Sequence, residues 1–166
     1  MSYLKILTFP DKRLQQVATR VEENSAELQQ LIAEMLSTMY SGHGIGLAAT
    51  QVGRQQRLFV LDISEEQNSP QCFINPVIID SRGQVSSEEG CLSFPDVYVS
   101  VQRATNITVE YLDRDFRTQT LSCDDLMAIC IQHEIEHLNG ITLYNKLSGL
   151  KQQRIKTKLF KQQASN

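Results

Sequence analysis

Two histidines four residues apart enclose a glutamate in the run His133-Glu134-Ile135-Glu136-His137. On a helix, residues four apart stand one turn above each other, so both imidazoles reach a single ion. Glu134 is rotated off that line. It is too far round to ligate in the same way, yet near enough to touch a water on the ion. The pattern predicts a divalent metal worked by a general base. The plain alternative is two surface histidines at a charged helix end. The apolar stretch before them (Leu126, Met127, Ile129, Cys130, Ile131) argues for a buried helix instead, and buried histidines need partners.

A catalytic shell usually has three protein ligands and an open position, so a third ligand must come from elsewhere. His43 is the remaining histidine, and no acid stands at a zincin-like spacing on a following helix. Cys130 lies three residues before His133, but it would have to reach along its own helix, and lining a pocket suits it better. Cys91 sits in Glu89-Gly90-Cys91-Leu92-Ser93, with Pro95 just after. Such a segment can turn a thiolate toward a helix, which favours Cys91 over Cys130 without excluding the latter. A third stretch, Gly44-Ile45-Gly46-Leu47-Ala48-Ala49-Thr50-Gln51, is built of small residues that allow close backbone approach. The Gln51 amide at its end is either a donor to a developing oxyanion or a surface amide before Val52-Gly53.

These residues must be held by a definite set of elements. A first helix, capped by Asn24 or Ser25, carries Leu28, Leu31, Ile32, Met35, Leu36 and Met39 at helical spacing and stops at Ser41-Gly42. Gly44 to Gly46 cannot continue it. Strands are expected at 57–63, at 72–79 (an edge or bulged strand because of Pro76), at 97–101, at 107–112 and at 118–121. The histidine helix opens near Ser122 to Asp125 and ends at Gly140, and its apolar first half should be buried. A polar helix, about 147–163, closes the chain on the outside. The expected fold is α+β: mixed or antiparallel sheets around a central buried helix, with a C-terminal helix, in a single domain over 1–166.

Composition narrows the classes of function. The 166 residues, 41% hydrophobic and 21% charged, fit one soluble domain. A net charge of −3 gives no general case for nucleic-acid binding. The basic residues from Lys146 to Lys161 form either a solvated helix face or a weak anionic-surface patch. No apolar run is long enough to span a membrane, and the first residues lack the apolar stretch and cleavage site of a signal peptide. The expected location is the cytoplasm. Four scattered cysteines, with no C-x-x-C pair, do not make a disulfide framework.

Taken together, GIGLAATQ (Gly44 to Gln51), EGCLS (Glu89 to Ser93) and QHEIEHLNG (Gln132 to Gly140) resemble the three motifs of the peptide deformylases, in order and over nearly the whole chain. The helical C-terminus is similar to that of bacterial members. The resemblance implies metal ligation by Cys91, His133 and His137, with Fe2+ in cells and Ni2+, Co2+ or Zn2+ as substitutes. It implies Glu134 as base and acid, and Gln51 with the Leu92 backbone N–H as oxyanion donors. The substrate would be the N-formylmethionine of a nascent peptide, met at the ribosome by a monomeric enzyme, and the products formate and a free N-terminus. Ile45, Leu126, Ile129, Cys130 and His133 would line the methionine pocket. Leu126, Cys130 and His133 also share one helix face by spacing, with plain core packing the alternative for Leu126. Gly44 to Gly46 would pair with the extended peptide, and Glu89 would orient the cysteine loop. The chain departs from the family at Glu136, usually Asp, at His43, often an acid, and at Tyr98, often Arg. A zinc peptidase and an inactive metal-binding relative are the rival readings.

Overall fold

The computed structural model describes residues 2–164; Met1, Ser165 and Asn166, which the expected domain range includes, lie outside the described residues. Helix α1 spans Ala26–Ser41, with the Ser25 hydroxyl accepting from the Leu28 N–H, so Ser25 rather than Asn24 is the cap. Five strands form one sheet in the order β1-β2-β3-β6-β7: Gly46–Ala48, Leu58–Leu61, Gln71–Arg82, Asn106–Leu112 and Thr118–Asp124. Every ladder of this sheet among the described residues is antiparallel, and an isolated bridge, Thr19 to Gln56, is parallel. Strands β4 (Val85–Cys91) and β5 (Phe94–Arg103) make a separate hairpin. Helix α2 is Asp125–Leu138 and α3 is Gly149–Ala164.

At β2 the sheet is buried on both faces, because its four apolar residues alternate between two apolar partners. Leu58 and Val60 point to α1, meeting Leu28, Ile32, Met35 and Met39. Phe59 and Leu61 point to the other side, where Ala128, Ile131, Ile135 and Leu138 of α2 close the core. Phe59 and Phe73 stack there with ring centroids 4.7 Å apart. The histidine helix is therefore seated by its apolar stripe on a rigid sheet.

Two expectations narrow and two change. Strand β3 is interior, paired with both β2 and β6, so of the two readings of Pro76, edge or bulge, the bulge is the one observed. The proline sits between Ile74 and Val77, where the missing N–H costs no ladder bond; Asn75, at φ +51, uses its side chain to bond both the N–H and the carbonyl of Val21. Ser122 and Cys123 belong to β7, and helix α2 starts only at Asp125. The first half of α2 is not buried all round, since Leu126 is 47% exposed at the mouth of a cleft. Finally, the cysteine segment is not a free loop. It ends β4, and pairing of Cys91 with Phe94 leaves Leu92 and Ser93 as the hairpin turn.

Candidate functional site

Helix α2 stacks His133 and His137 so that their Nε2 atoms lie 3.2 Å apart. The β4–β5 turn brings Cys91 Sγ to 3.3 Å from His137 Nε2. All three donor atoms lie within 4.8 Å of one another. Two nitrogens each about 2.1 Å from a tetrahedral ion would stand about 3.4 Å apart, so the spacing fits a shared cation. Two imidazole nitrogens this close cannot both carry a proton, so at least one of them presents a lone pair to the site. The Nδ1 of His133 meets Glu89 Oε1 at 3.0 Å, which fixes the ring and leaves Nε2 for the site. His137 is buried with its Nδ1 unpartnered among the described residues. Burial and the neighbouring His133 hold its pKa well below the ordinary histidine value, so it stays neutral and able to ligate. Cys130 is not part of this group. It lies in the cleft wall, and burial, with Glu134 and Glu89 near, pushes its thiol up to about 12.

Glu134 is 3% exposed, and its Oε1 has no hydrogen-bond partner among the described residues. Burial pushes its carboxyl up to about 7, with Glu89 adding to the effect and His133 opposing it. The carboxylate lies against the backbone of Gly46, where a Cβ would come within 2.5 Å of Oε2. Glycine is thus required there by close approach, as the small residues of that segment suggested.

Gln51 is not a surface amide. It is 1% exposed, in the 3-10 turn Ala49–Val52, and its Oε1 accepts from the Ala48 N–H at 2.9 Å. Its Nε2 donates to Ser93 Oγ at 3.0 Å and points at Cys91 Sγ at 3.5 Å. The Leu92 side chain packs over Gly42 and Gly44, which keeps the turn against the glycine segment.

These groups open on a cleft of about 610 Å3, within the usual range for a ligand site. Ile45, Leu126, Ile129 and Cys130 supply apolar wall, together with His133. The core alternative for Leu126 fails because the residue faces the opening. Glu89 borders the cleft, but its carboxylate is engaged by Arg103 and His133. His43, at φ +59, and Tyr98, 72% exposed, stand at the rim. The Tyr98 ring covers Gly90, where a Cβ would lie 2.9 Å from Cε1. Glu136 turns away from the ion site to Arg103 Nη1 and Lys146 Nζ, each at 2.5 Å. Ser93 and Arg103 were not identified from sequence. Ser93 follows the cysteine by two residues and was accessible to the same motif reasoning. Arg103 had no local signal, because both its carboxylate partners are distant in sequence.

The sequence pattern of the family described as polypeptide deformylase matches residues 3–153. The chain is 52% identical over 166 residues to the peptide deformylase of Chromobacterium violaceum, covering 100% of this chain and 99% of that one. Its fold superposes on a peptide deformylase from Legionella pneumophila with a TM-score of 0.92 at 41% identity, covering 99% of both chains. A TM-score of 0.92 is also found for the Ehrlichia chaffeensis peptide deformylase in complex with actinonin, at 37% identity and 98% coverage of each chain. With the ordered motifs, a metal-suited donor set and full-length likeness all in agreement, the chain belongs to the polypeptide deformylase family.

Proposed function

We propose that this chain hydrolyses the formyl amide of N-terminal formylmethionine on newly made polypeptides, and that residues 1–166 act as one catalytic domain. The observation that carries the reading is a buried carboxylate, Glu134, with an oxygen unpartnered among the described residues, beside three donors gathered for one ion. Cys91, His133 and His137 would hold that ion. We read it as Fe2+, with Zn2+, Ni2+ or Co2+ able to substitute, since a thiolate with two imidazoles accepts all of them. When bound, the ion supplies a Lewis acid that polarises the formyl carbonyl and makes water more acidic.

Glu134 takes a proton from the attacking water, whose oxygen bonds to the formyl carbon. A carboxyl poised near 7 suits both acceptance and return of a proton at neutral pH. As the C–N bond breaks, Glu134 passes the proton to the departing amine, and formate is left. Gln51 Nε2 and the Leu92 N–H donate to the oxygen that gains charge. The methionine side chain enters between Ile45, Leu126, Ile129 and Cys130. The peptide backbone runs beside Gly44 to Gly46, where β1 is the outer strand of its sheet, with no strand on its other side among the described residues.

We further read the protein as a monomer acting in the cytoplasm on chains leaving the ribosome. No helix of the described residues is long and apolar enough to cross a membrane. The test is formyl-Met-Ala-Ser offered to protein loaded with Fe2+ or Ni2+, with formate measured. Formate release supports the proposal. Cleavage of an internal peptide bond instead would support a zinc peptidase, and neither product would support a non-catalytic binding module.

A further inference from the structure

The three donors come from two bodies with separate cores. His133 and His137 stand on α2, seated on the five-stranded sheet. Cys91 stands on the hairpin, whose Phe94, Val99 and Val101 pack instead against Leu143 and Tyr144 of the 3-10 turn Leu143–Lys146. The two clusters share no residue. An ion held by Cys91 and both histidines therefore needs the hairpin and the helix kept at one distance.

Across this seam run the Gln51 amide, the Gln132 side chain of α2, which accepts from the Ala104 N–H and donates to the Ala104 carbonyl at 2.9 Å each just past β5, and one ionic chain. Arg103, at the end of β5, has a side chain only 3% exposed. Its Nε and Nη2 donate to both oxygens of Glu89 at 2.9 and 2.7 Å, and its Nη1 donates to Glu136 of α2 at 2.5 Å. The other Glu136 oxygen meets Lys146 Nζ at 2.5 Å. Glu89 in turn faces His133 Nδ1. The links run Lys146–Glu136–Arg103–Glu89–His133, from a half-exposed turn to a histidine of the ion site.

Two carboxylates and two fixed cations balance in this chain. Without Lys146, one buried guanidinium must serve both acids, and Glu136 competes with Glu89 for it. An ordinary surface ion pair would contribute little. Lys146 differs because its backbone is pinned. Leu143 of the same turn is buried, and Gln152 of α3 donates to the carbonyls of Tyr144 and Leu147 at 2.9 and 3.2 Å.

We propose that Lys146 is a positioning residue: by neutralising Glu136 it lets Arg103 hold the cysteine hairpin against the histidine helix at the spacing the ion requires. The inference rests on Cys91, His133 and His137 being the ligands. Its test loads wild type, Lys146→Gln and Lys146→Arg with Co2+. The thiolate-to-cobalt absorption band and the rate of Co2+ loss to excess chelator are then followed, with thermal melts of the metal-free proteins alongside. Removing a direct partner of a ligating histidine costs roughly 10–100-fold in affinity, so a partner further along the chain should cost about 3–10-fold. The expected result is Co2+ loss about 3–10-fold faster in Lys146→Gln with a weakened band, unchanged melting of the metal-free protein, and recovery in Lys146→Arg. Wild-type retention in Lys146→Gln overturns the proposal. So does a loss that follows a lowered melting temperature and is not restored by arginine. Wild type that takes up Co2+ without the band overturns the ligand assignment itself, and the inference with it.

Discussion

Replacing Gly46 by alanine tests whether the position of one carboxylate sets the rate. The new Cβ would lie 2.5 Å from Glu134 Oε2, 3.1 Å from its Cδ and 3.2 Å from its Cγ. Ordinary contact begins near 3.4 Å, so the carboxylate must retreat by about 0.9 Å. It is the part that yields, because its Oε1 has no bond among the described residues to hold it, whereas Gly46 is tied into a ladder with Leu61. A displacement of about 1 Å in a reacting group costs roughly 100-fold, or about 2.7 kcal/mol of barrier. The backbone at Gly46 is not left-handed, so alanine fits it and offsets some crowding by about 0.4–1 kcal/mol through the unfolded state. Activity should therefore fall about 100-fold while fold and metal content stay close to wild type. Formate release from formyl-Met-Ala-Ser, metal analysis and a thermal melt measure the three quantities. Gly149→Ala, where an added Cβ meets nothing within 4 Å among the described residues, is the control and should leave kcat/KM unchanged. A Gly46→Ala protein with kcat/KM near the wild-type value would refute the argument that Glu134 must sit where it does.

Three other outcomes are expected. Glu134→Ala should keep its metal and lose activity by several orders of magnitude, since one group takes and returns the proton; appreciable turnover would remove Glu134 from that role. Cys91→Ser should weaken or change metal binding in a chelator competition, whereas Cys130→Ser should not, because the Cys130 thiol is held protonated by burial; the reverse pattern would reassign the third ligand. Asp62→Asn should cost about 1–3 kcal/mol at neutral pH, because the buried carboxylate accepts from Tyr40 at 2.6 Å, from the Ser64 hydroxyl and N–H, and from the Ser69 N–H. Burial alone would raise the Asp62 pKa, but these bonds outweigh it and lower it. Its stabilisation is then complete above the ordinary aspartate value and disappears as pH falls through the lowered one. Urea melts of wild type and Asp62→Asn should converge on acidification, and a gap independent of pH would sink this assignment.

Much of the catalytic helix was legible locally. A four-residue histidine spacing on an amphipathic helix puts two imidazoles over one point whatever surrounds them, because helical geometry is set by the backbone. The continuous apolar run of β2, buried at all four residues, and the apolar stripe of α1 are likewise short-range patterns. The choice between Cys91 and Cys130 was not local. Both are thiols within plausible reach, and a hairpin turn folded from a different sheet decides which one meets His137. Gln51 was equally ambiguous until its burial and its bonds to Ala48 and Ser93 appeared.

What the sequence determined by itself is the chemistry available: the residue types and their spacing along single elements, which depend on backbone periods of a few residues. Only the tertiary structure decided how elements with separate cores meet. Arg103 between Glu89 and Glu136, the lysine beyond them and the carboxylate lying on Gly46 are contacts between positions far apart in the chain. Such contacts depend on the packing of sheet, hairpin and helix together, and no short window of residues encodes that packing.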